Sequence, residues 1–390
     1  MNSAPLRKVA NLFEVAALFL RLGATAFGGP AAHIALMEQE VVVRRGWLSR
    51  TEFLDLMGIV NLIPGPNSTE MAIFIGYRRA GWLGMLVGGI CFILPAALIV
   101  SLIASAYVKY GKLPQAEGLL YGVKPVIIAV MAQAMWNLGR TAVKTRLLAI
   151  IGTGAVAMSF MAVNPLWVLL FPALLMLAAR AAAQPREAMS GLTPLLGATP
   201  GFQLLSTAGT MTPFSVWPMC LFFLKVGSVL FGSGYVLLVF LRTDLVEHRQ
   251  WLTDGQLLDA ISVGQFTPGP LLTTATFIGY ILGGPQAALL ATVAIFLPAF
   301  VLAAIIGPFA SRLRQSRLAG GFLDGLNVAS LALMLVVTWQ LGRTALVDWL
   351  TVSFAVAAAV WLLFFRVNST WLILGGAALG LARFVLSTGP

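Results

Sequence analysis

The chain carries one unit twice. Laid over itself at an offset of 204 residues, it aligns Phe19, Leu20, Gly23, Phe27 and Gly28 with Phe223, Leu224, Gly227, Phe231 and Gly232. In the same register Val42, Arg45, Trp47, Leu48, Leu54 and Asp55 meet Val246, Arg249, Trp251, Leu252, Leu258 and Asp259, and Pro64-Gly65-Pro66 meets Pro268-Gly269-Pro270, which makes 14 identities in 48 ungapped positions. After a one-residue deletion Phe74-Ile75-Gly76-Tyr77 falls on Phe277-Ile278-Gly279-Tyr280, Pro95 on Pro298, and Arg140-Thr141-Ala142 on Arg343-Thr344-Ala345. Shared hydrophobicity does not match Gly, Pro, Trp and Arg position by position, so this is a true internal repeat. The fold must therefore be two copies of one unit, 1–180 and 213–390, joined by a polar linker at 181–212 that carries Arg186 and Glu187.

Composition fixes the solvent of that unit. Of 390 residues 59% are hydrophobic and 10% charged, with a mean hydropathy of +0.91, whereas soluble domains carry about 25% charged residues. The expectation is an all-α polytopic membrane protein with a lipid bilayer as its partner. Six apolar stretches fall in each half, at about 10–36, 53–77, 82–108, 118–139, 147–163 and 165–180, then 214–241, 256–280, 286–310, 320–341, 345–365 and 370–388. The net charge of +11 would suggest nucleic acid on a soluble chain; here it reads as cytoplasmic loops facing anionic lipid, and no nucleic acid is expected. Cys91 and Cys220 stand alone in apolar surroundings, so neither a disulfide nor a metal site is expected, and no cofactor. The first stretch runs past the length of a signal-peptide core without a cleavage site and should stay in the mature chain.

Charge also orients the halves. Half one has seven basic residues on one side of its stack (Arg78, Arg79, Arg140, Lys144, Arg146, Arg180, Arg186) and two on the other (Lys109, Lys112). Half two reverses the bias, with Arg343 and Arg383 against Arg312, Arg314, Arg317 and Arg366. Inverted repeats put eleven on one face and four on the other, parallel repeats nine and six, so the positive-inside rule favours inversion. Inversion needs an odd number of crossings per half, about ten in all. One stretch per half should then be re-entrant, and the suspect is the one broken by Pro-Gly-Pro.

Those breaks carry the chemistry. A helix interrupted in the membrane exposes backbone N–H groups, and the restarted half-helix turns its positive end to the break, which suits an anion. Candidate anion ligands are Pro64, Gly65, Pro66, Asn67, Ser68 and Thr69 at one break and Pro268, Gly269, Pro270, Thr273 and Thr274 at the other. Gly28 and Gly29, with Gly232 opposite, interrupt the first stretch of each half in the same way. A pair of merely kinked helices is the alternative. Arg21 and Lys225 are matched cations within apolar helices, placed there to bind the anion or to snorkel to the head-groups. Arg140 and Arg343 either guide the anion or cap their own helix ends. Glu70 follows the first break and becomes Thr274 in the second half, which makes it the candidate for proton coupling; a surface pair with Arg78 or Arg79 is its alternative. Asp55 and Asp259 open the broken segments, where an acid suits a helix start. His33 and His248 are unmatched and not assigned a role, and neither is Glu14.

The combination of Phe-Leu-Arg/Lys-x-Gly-x3-Phe-Gly (19–28 and 223–232), Trp-Leu-Ser/Thr (47–49 and 251–253) and Pro-Gly-Pro followed by Phe-Ile-Gly-Tyr resembles the chromate ion transporter family in its long, two-domain form. The resemblance covers nearly all of the chain apart from the linker. It implies efflux of chromate from a bacterial cytoplasm across the inner membrane, with sulfate as a structural analogue. The second copy departs from the first where Gly29-Pro30 becomes Ser233-Gly234 and Asn67-Ser68-Thr69-Glu70 becomes Leu271-Leu272-Thr273-Thr274, so the halves need not play equal parts.

The chain has no G-x-x-x-x-G-K-S/T, H-E-x-x-H or G-x-S-x-G motif, which argues against an ATP-driven pump or a hydrolase. An anion channel, a sulfate transporter and an intramembrane lipid-modifying enzyme stay open, as does a homo-oligomer. The charge count makes one direct prediction. Single cysteines at positions 80 and 284, with Cys91 and Cys220 replaced by Ser, should label from opposite faces of the membrane; labelling from one face would overturn the inversion.

Overall fold

The computed structural model describes residues 4–61, 63–111, 113–161, 163–182, 213–230, 234, 236–306, 317–365 and 369–388, and among them every regular element is helical. Outside them lie nearly all of the linker, Gly232, and Lys112, Arg186, Arg312, Arg314 and Arg366 of the charge count. In half one α1 (Ala4–Thr25) is followed by α2 (Gly29–Glu38), which runs on into a π turn (Gln39–Arg44). Then come α3 (Arg50–Val60), α4 (Asn67–Tyr110), α5 (Pro114–Ala142), α6 (Arg146–Phe160) and α7 (Pro165–Ala182). Half two repeats the series as α8 (Val216–Val229), α9 (Val236–Leu241) with its π turn (Arg242–His248), α10 (Asp254–Phe266) and α11 (Thr274–Ile306). It ends with α12 (Arg317–Ala345), α13 (Trp349–Phe364) and α14 (Ser369–Thr388). Among the described residues six helices are long and apolar enough to cross a membrane: α4, α5, α7, the segment Leu271–Ile306 that contains α11, and most of α12 and α14.

Helix starts are written into matched positions. Ser49 with Glu52 and Thr253 with Gln256 form reciprocal capping boxes on α3 and α10, and Thr145 and Asp348 cap α6 and α13. Each cap satisfies backbone donors that a helix start leaves open.

Where the chain reverses, contacts distant in sequence come together. Arg21 and Glu40 meet at 2.7 Å, although one continuous helix would set them roughly 28 Å apart. The chain therefore folds back between α1 and α2, through Gly28 and Gly29 at φ 101° and 76°, a region in which a side chain is costly. It folds back again after α3: Asn67 Nδ2 donates to Asn61 Oδ1 at 2.8 Å. The backbone N–H and hydroxyl of Ser49 hold the exposed Glu52 carboxyl below its ordinary range, and Arg78, near the far end of the returning segment, adds to the effect. At Ala80 and Gly81 α4 itself reverses, so 67–79 lies along 82–110 with Gly76 against Gly84, and a Cβ on Gly88 would stand 2.6 Å from the Ala72 carbonyl oxygen. Half two repeats these turns: Lys225 meets Asp244 at 3.7 Å, α11 breaks at Gly283 and Gly284, and the hydroxyls of Thr276 and Thr292 join at 2.7 Å across the fold.

Half one thus doubles back twice, between α1 and α2 and between α3 and α4, and half two shows the matching contacts. The Pro-Gly-Pro break turns the chain back as expected, and a second reversal, between α1 and α2, joins it. Hydropathy reads a hairpin and a span alike, and the reversal at Gly28 and Gly29 rests on a dihedral that no apolar pattern reveals. Arg79 gathers the hairpin mouths of half one, pairing with Glu14 at 2.7 Å and stacking over Trp47 at 5.0 Å.

Inversion is visible in where the long helices end. Tyr107 lies about 40 Å along α4 from the Gly81 turn, at 1.5 Å per residue. There its hydroxyl donates to Asp259 of α10 at 2.8 Å and its ring meets Phe277 of α11 at 5.2 Å. Both partners sit near the mouths of the hairpins of half two, so the two sets of hairpins enter from opposite ends.

The remaining helices interlock the halves. α4 packs on α11 and α5 on α12, while α7 lies against α12 and α14 against α5 in the matching way. Glycines let these backbones approach, as Gly118 and Gly122 do against Gly376 and Gly380, the small-residue contact typical of membrane helices. A Cβ on Gly122 would run into the Gly376 carbonyl, whereas one on Gly154 would meet nothing within 4 Å. Gly122→Val should therefore destabilise the protein by about 1–3 kcal/mol, read as a lower temperature for loss of the monodisperse peak in detergent. Gly154→Val should leave that temperature unchanged.

Candidate functional site

The Pro-Gly-Pro turns meet the ends of α8 and α1. The N–H of Gly65, in the first Pro-Gly-Pro turn, donates at 2.7 Å to the carbonyl of Leu230, where α8 ends. The N–H of Gly269, in the second turn, donates at 3.0 Å to the carbonyl of Ala26, where α1 ends. Ala26 and Leu230 are themselves matched positions, so each half lends its turn to the broken helix of the other. Gly65 and Gly269 have φ of 150° and 90°, and a Cβ on Gly269 would stand 2.6 Å from that of Ala96. Pro64, Pro66, Pro268 and Pro270 flank these glycines and cannot donate in their place.

Backbone donors cluster around this junction. α2 starts behind Gly28 and α4 behind Pro66, and neither start is capped by a side-chain hydrogen bond. A cleft between the halves is lined by Gly29, Pro30, Gln265, Thr267, Gly269 and Leu271, bringing the α1–α2 break of half one against the second Pro-Gly-Pro turn. Nε2 of Gln265 is enclosed and has no hydrogen-bond partner among the described residues. His33 is buried, with Nε2 3.0 Å from the Ala26 carbonyl oxygen.

The side chains expected to bind sort differently. Asn67 has its amide engaged by Asn61, and Thr273 and Thr274 donate their hydroxyl hydrogens to the carbonyls of Pro270 and Leu271, each at 2.8 Å. Ser68 and Thr69 are buried, and Thr69 Oγ1 is unpartnered among the described residues. Glu70 is 0% exposed, sits beneath the Gly65 turn, and has no partner on either carboxylate oxygen among the described residues. The surface pair with Arg78 or Arg79 is therefore not its setting.

Arg21 lies outside the junction, 47% exposed, on Glu40. Arg44 at 2.7 Å and Arg45 at 3.4 Å share the same carboxylate. Half two keeps the pattern more loosely, with Lys225 at 3.7 Å and Arg249 at 3.8 Å from Asp244. Arg140 and Arg343 are exposed in the last turns of α5 and α12, where a cation suits the carbonyl end of a helix. Asp259 is buried, bonded to Tyr107 and 3.1 Å from Lys124, whereas Asp55 is only half-buried. Among the described residues no cluster of His, Cys, Asp and Glu could hold a metal.

Sequence reasoning passed over Glu40 and Asp244, which the 204-residue offset aligns, and over Gln265 and His33. Gln265 stands three residues before a Pro-Gly-Pro, as Asn61 does in half one, and that matched polar pair was the available signal.

The chromate transporter family profile matches residues 13–177 and again 217–381, the same 204-residue offset. The chain is 31% identical to a chromate transport protein of Cupriavidus metallidurans, over 96% of this chain and 94% of that protein. It is 30% identical to a probable chromate transport protein of Synechococcus elongatus over 87% of this chain and 86% of the relative. A chromate transport protein of Pseudomonas aeruginosa is 31% identical over 89% and 85% of the two chains. No solved structure matches.

The two ion clusters differ in tightness, and stability should follow. Glu40→Gln should lower the unfolding temperature in detergent more than Asp244→Asn. The difference should be worth about 1 kcal/mol once solvent screening of the half-exposed arginines is allowed for.

Proposed function

The chain belongs to the chromate transporter family, and from that membership we propose that it exports chromate across the bacterial inner membrane as a secondary transporter. The observation that carries this reading is the reciprocal junction, in which Gly65 and Gly269 bridge the broken helices of two hairpin sets inserted from opposite ends. Inverted repeats that meet at broken helices provide a central site with one access route per half. Uncapped N–H groups of α2 and α4 offer a tetrahedral dianion oriented donors at the positive ends of half-helices. They do so without a full counter-charge that would hold the ion too tightly to release.

An inside-negative potential of about 100 mV favours outward movement of a dianion by about 4.6 kcal/mol, at about 2.3 kcal/mol per charge. Potential alone can thus drive export, whereas uptake would need more than two positive charges carried in with each anion. Glu70 is where a proton enters the cycle: a carboxylate charge with no cation or donor beside it is costly to keep in a buried site. Proton exchange there would couple movement of the halves to a pH gradient. Arg21, Arg44 and Arg45 raise the local potential about two turns from the break and favour arrival of the anion.

Inverted membrane vesicles test the reading. Labelled chromate should enter them when an interior-positive potential is imposed, and entry should cease when the potential is collapsed. Glu70→Gln should keep potential-driven entry while losing its response to an imposed pH gradient. Entry of sulfate but not chromate would move the substrate assignment; entry of neither, with the protein correctly inserted, would remove transport and favour a lipid-modifying role.

A further inference from the structure

The two Pro-Gly-Pro turns share a backbone and differ in chemistry. Beneath the first lies Glu70, whose carboxylate oxygen occupies the space a Cβ on Gly65 would need. Asn67 Nδ2 donates to Asn61 at 2.8 Å, while Asn67 Oδ1 and Thr69 Oγ1 have no partner among the described residues. An anion brought here would meet the Glu70 carboxyl group and the Asn67 carbonyl oxygen, both acceptors that oppose it, with the Thr69 hydroxyl beside them.

At the second turn each of these features is changed. Thr274 replaces Glu70, and its hydroxyl bonds Leu271 O. Leu271 replaces Asn67, so Gln265, which occupies the position of Asn61, has no amide opposite it. Its Nε2 is enclosed without a hydrogen-bond partner among the described residues. This side chain lines the cleft with Gly29, Pro30 and Thr267. Among the described residues no acidic side chain lines the cleft, and a Cβ on Gly29 would meet none of them within 4 Å. An amide donor shut away from water and left unpaired costs about 1–3 kcal/mol, a cost that an acceptor seated in the cleft removes.

We infer that the oxyanion is bound on one side of the pseudo-twofold only, between the α1–α2 break and the second Pro-Gly-Pro turn, with the Gln265 amide as its side-chain donor. The inference rests on the transport reading above and narrows it. The first turn holds the ionisable group, the second holds the anion, and the reciprocal glycine bonds connect the two. A neutral amide also fits the substrate class, because it donates to a fully ionised tetrahedral oxyanion and adds no charge that must be released with it.

Binding of labelled chromate to the purified full-length protein in detergent tests this, with sulfate measured in parallel. Gln265→Leu should weaken affinity by roughly 10- to 100-fold, the worth of one hydrogen bond to a charged group. Gln265→Glu, nearly isosteric, should weaken it further by placing a carboxylate against the anion. Gln265→Asn should recover part of the loss, which a purely structural role would not produce. Asn61→Leu, the symmetry-related change, should leave affinity near the wild-type value. Equal losses in Asn61→Leu and Gln265→Leu would overturn the one-sided site, and wild-type affinity in Gln265→Glu would remove Gln265 from it. If Gln265→Leu does not fold, the Glu and Asn variants carry the comparison. Failure of the wild-type protein to bind either anion would sink the transport reading itself, and this inference with it.

Discussion

Everything at the centre of the molecule depends on two hydrogen bonds exchanged between its halves, Gly65 N–H to Leu230 C=O and Gly269 N–H to Ala26 C=O. A helix that stops inside a bilayer leaves carbonyls with no partner, and lipid supplies none. Neither half closes its own break, because its Pro-Gly-Pro turn leads away from it at the next hairpin. Each turn has a single free donor, the glycine N–H between two prolines, and that donor goes to the opposite half. The requirement for glycine follows from the same geometry: at Gly269 a side chain would collide with Ala96. The junction thus calls for two copies of the unit, since one alone would leave its glycine donor unsatisfied.

Around that junction the other helices form a frame that is also exchanged. α7 of half one rests on α12 of half two, and α14 rests on α5. Lys144 and Arg180 of half one both reach Asp324 of half two, at 3.0 and 2.5 Å, while Arg383 of half two approaches Asp348 and stacks over Tyr121 of half one. Cross-half pairs thus occur at both ends of the stack. The hairpins of the two halves meet through the reciprocal glycine bonds, while α1 packs along α4 and α8 along α11 within each half. A crossed frame that brings two hairpin sets together at one junction is the kind of scaffold on which a central site can face each side in turn.

Much of this was legible in the sequence, and the illegible part has definite causes. The repeat, the helix breaks, the inverted sense and the capping residues at Ser49 and Thr253 all leave local signatures, because glycine, proline, charge and caps act within a few residues. The doubled-back α1–α2 segment did not, since its apolar run is long enough for a span and only the φ of Gly28 and Gly29 turns it round. Thr273 and Thr274 look like donors in a list of residue types, yet a hydroxyl at the start of a helix readily bonds a nearby carbonyl, and both do. Arg21 looked isolated because Glu40 lies 19 residues on and meets it only through the reversal. Gln265 was hidden for a different reason: its importance lies in a missing partner, and a missing contact is a property of three-dimensional structure.

That missing partner bears on why the halves diverged. A perfectly symmetric inverted repeat would give inward-facing and outward-facing states of equal energy, related by the twofold axis, and any site at the centre would present the same chemistry to both faces. The scaffold here keeps the symmetry, down to matched Ala26 and Leu230 carbonyls and matched Phe19 and Phe223 in the core. Several substitutions fall where the turns touch the junction. Asn67 to Leu271, Glu70 to Thr274 and Gly29-Pro30 to Ser233-Gly234 change the chemistry while leaving the Pro-Gly-Pro backbone intact. With a carboxyl under one turn and an unpartnered amide beside the other, the two access states need not have equal energy, and on the proposals above protonation and anion binding would act on different halves. A ligand shifts such an equilibrium only by its differential affinity for the two states. Chemical asymmetry on a symmetric frame supplies that difference with no change of fold.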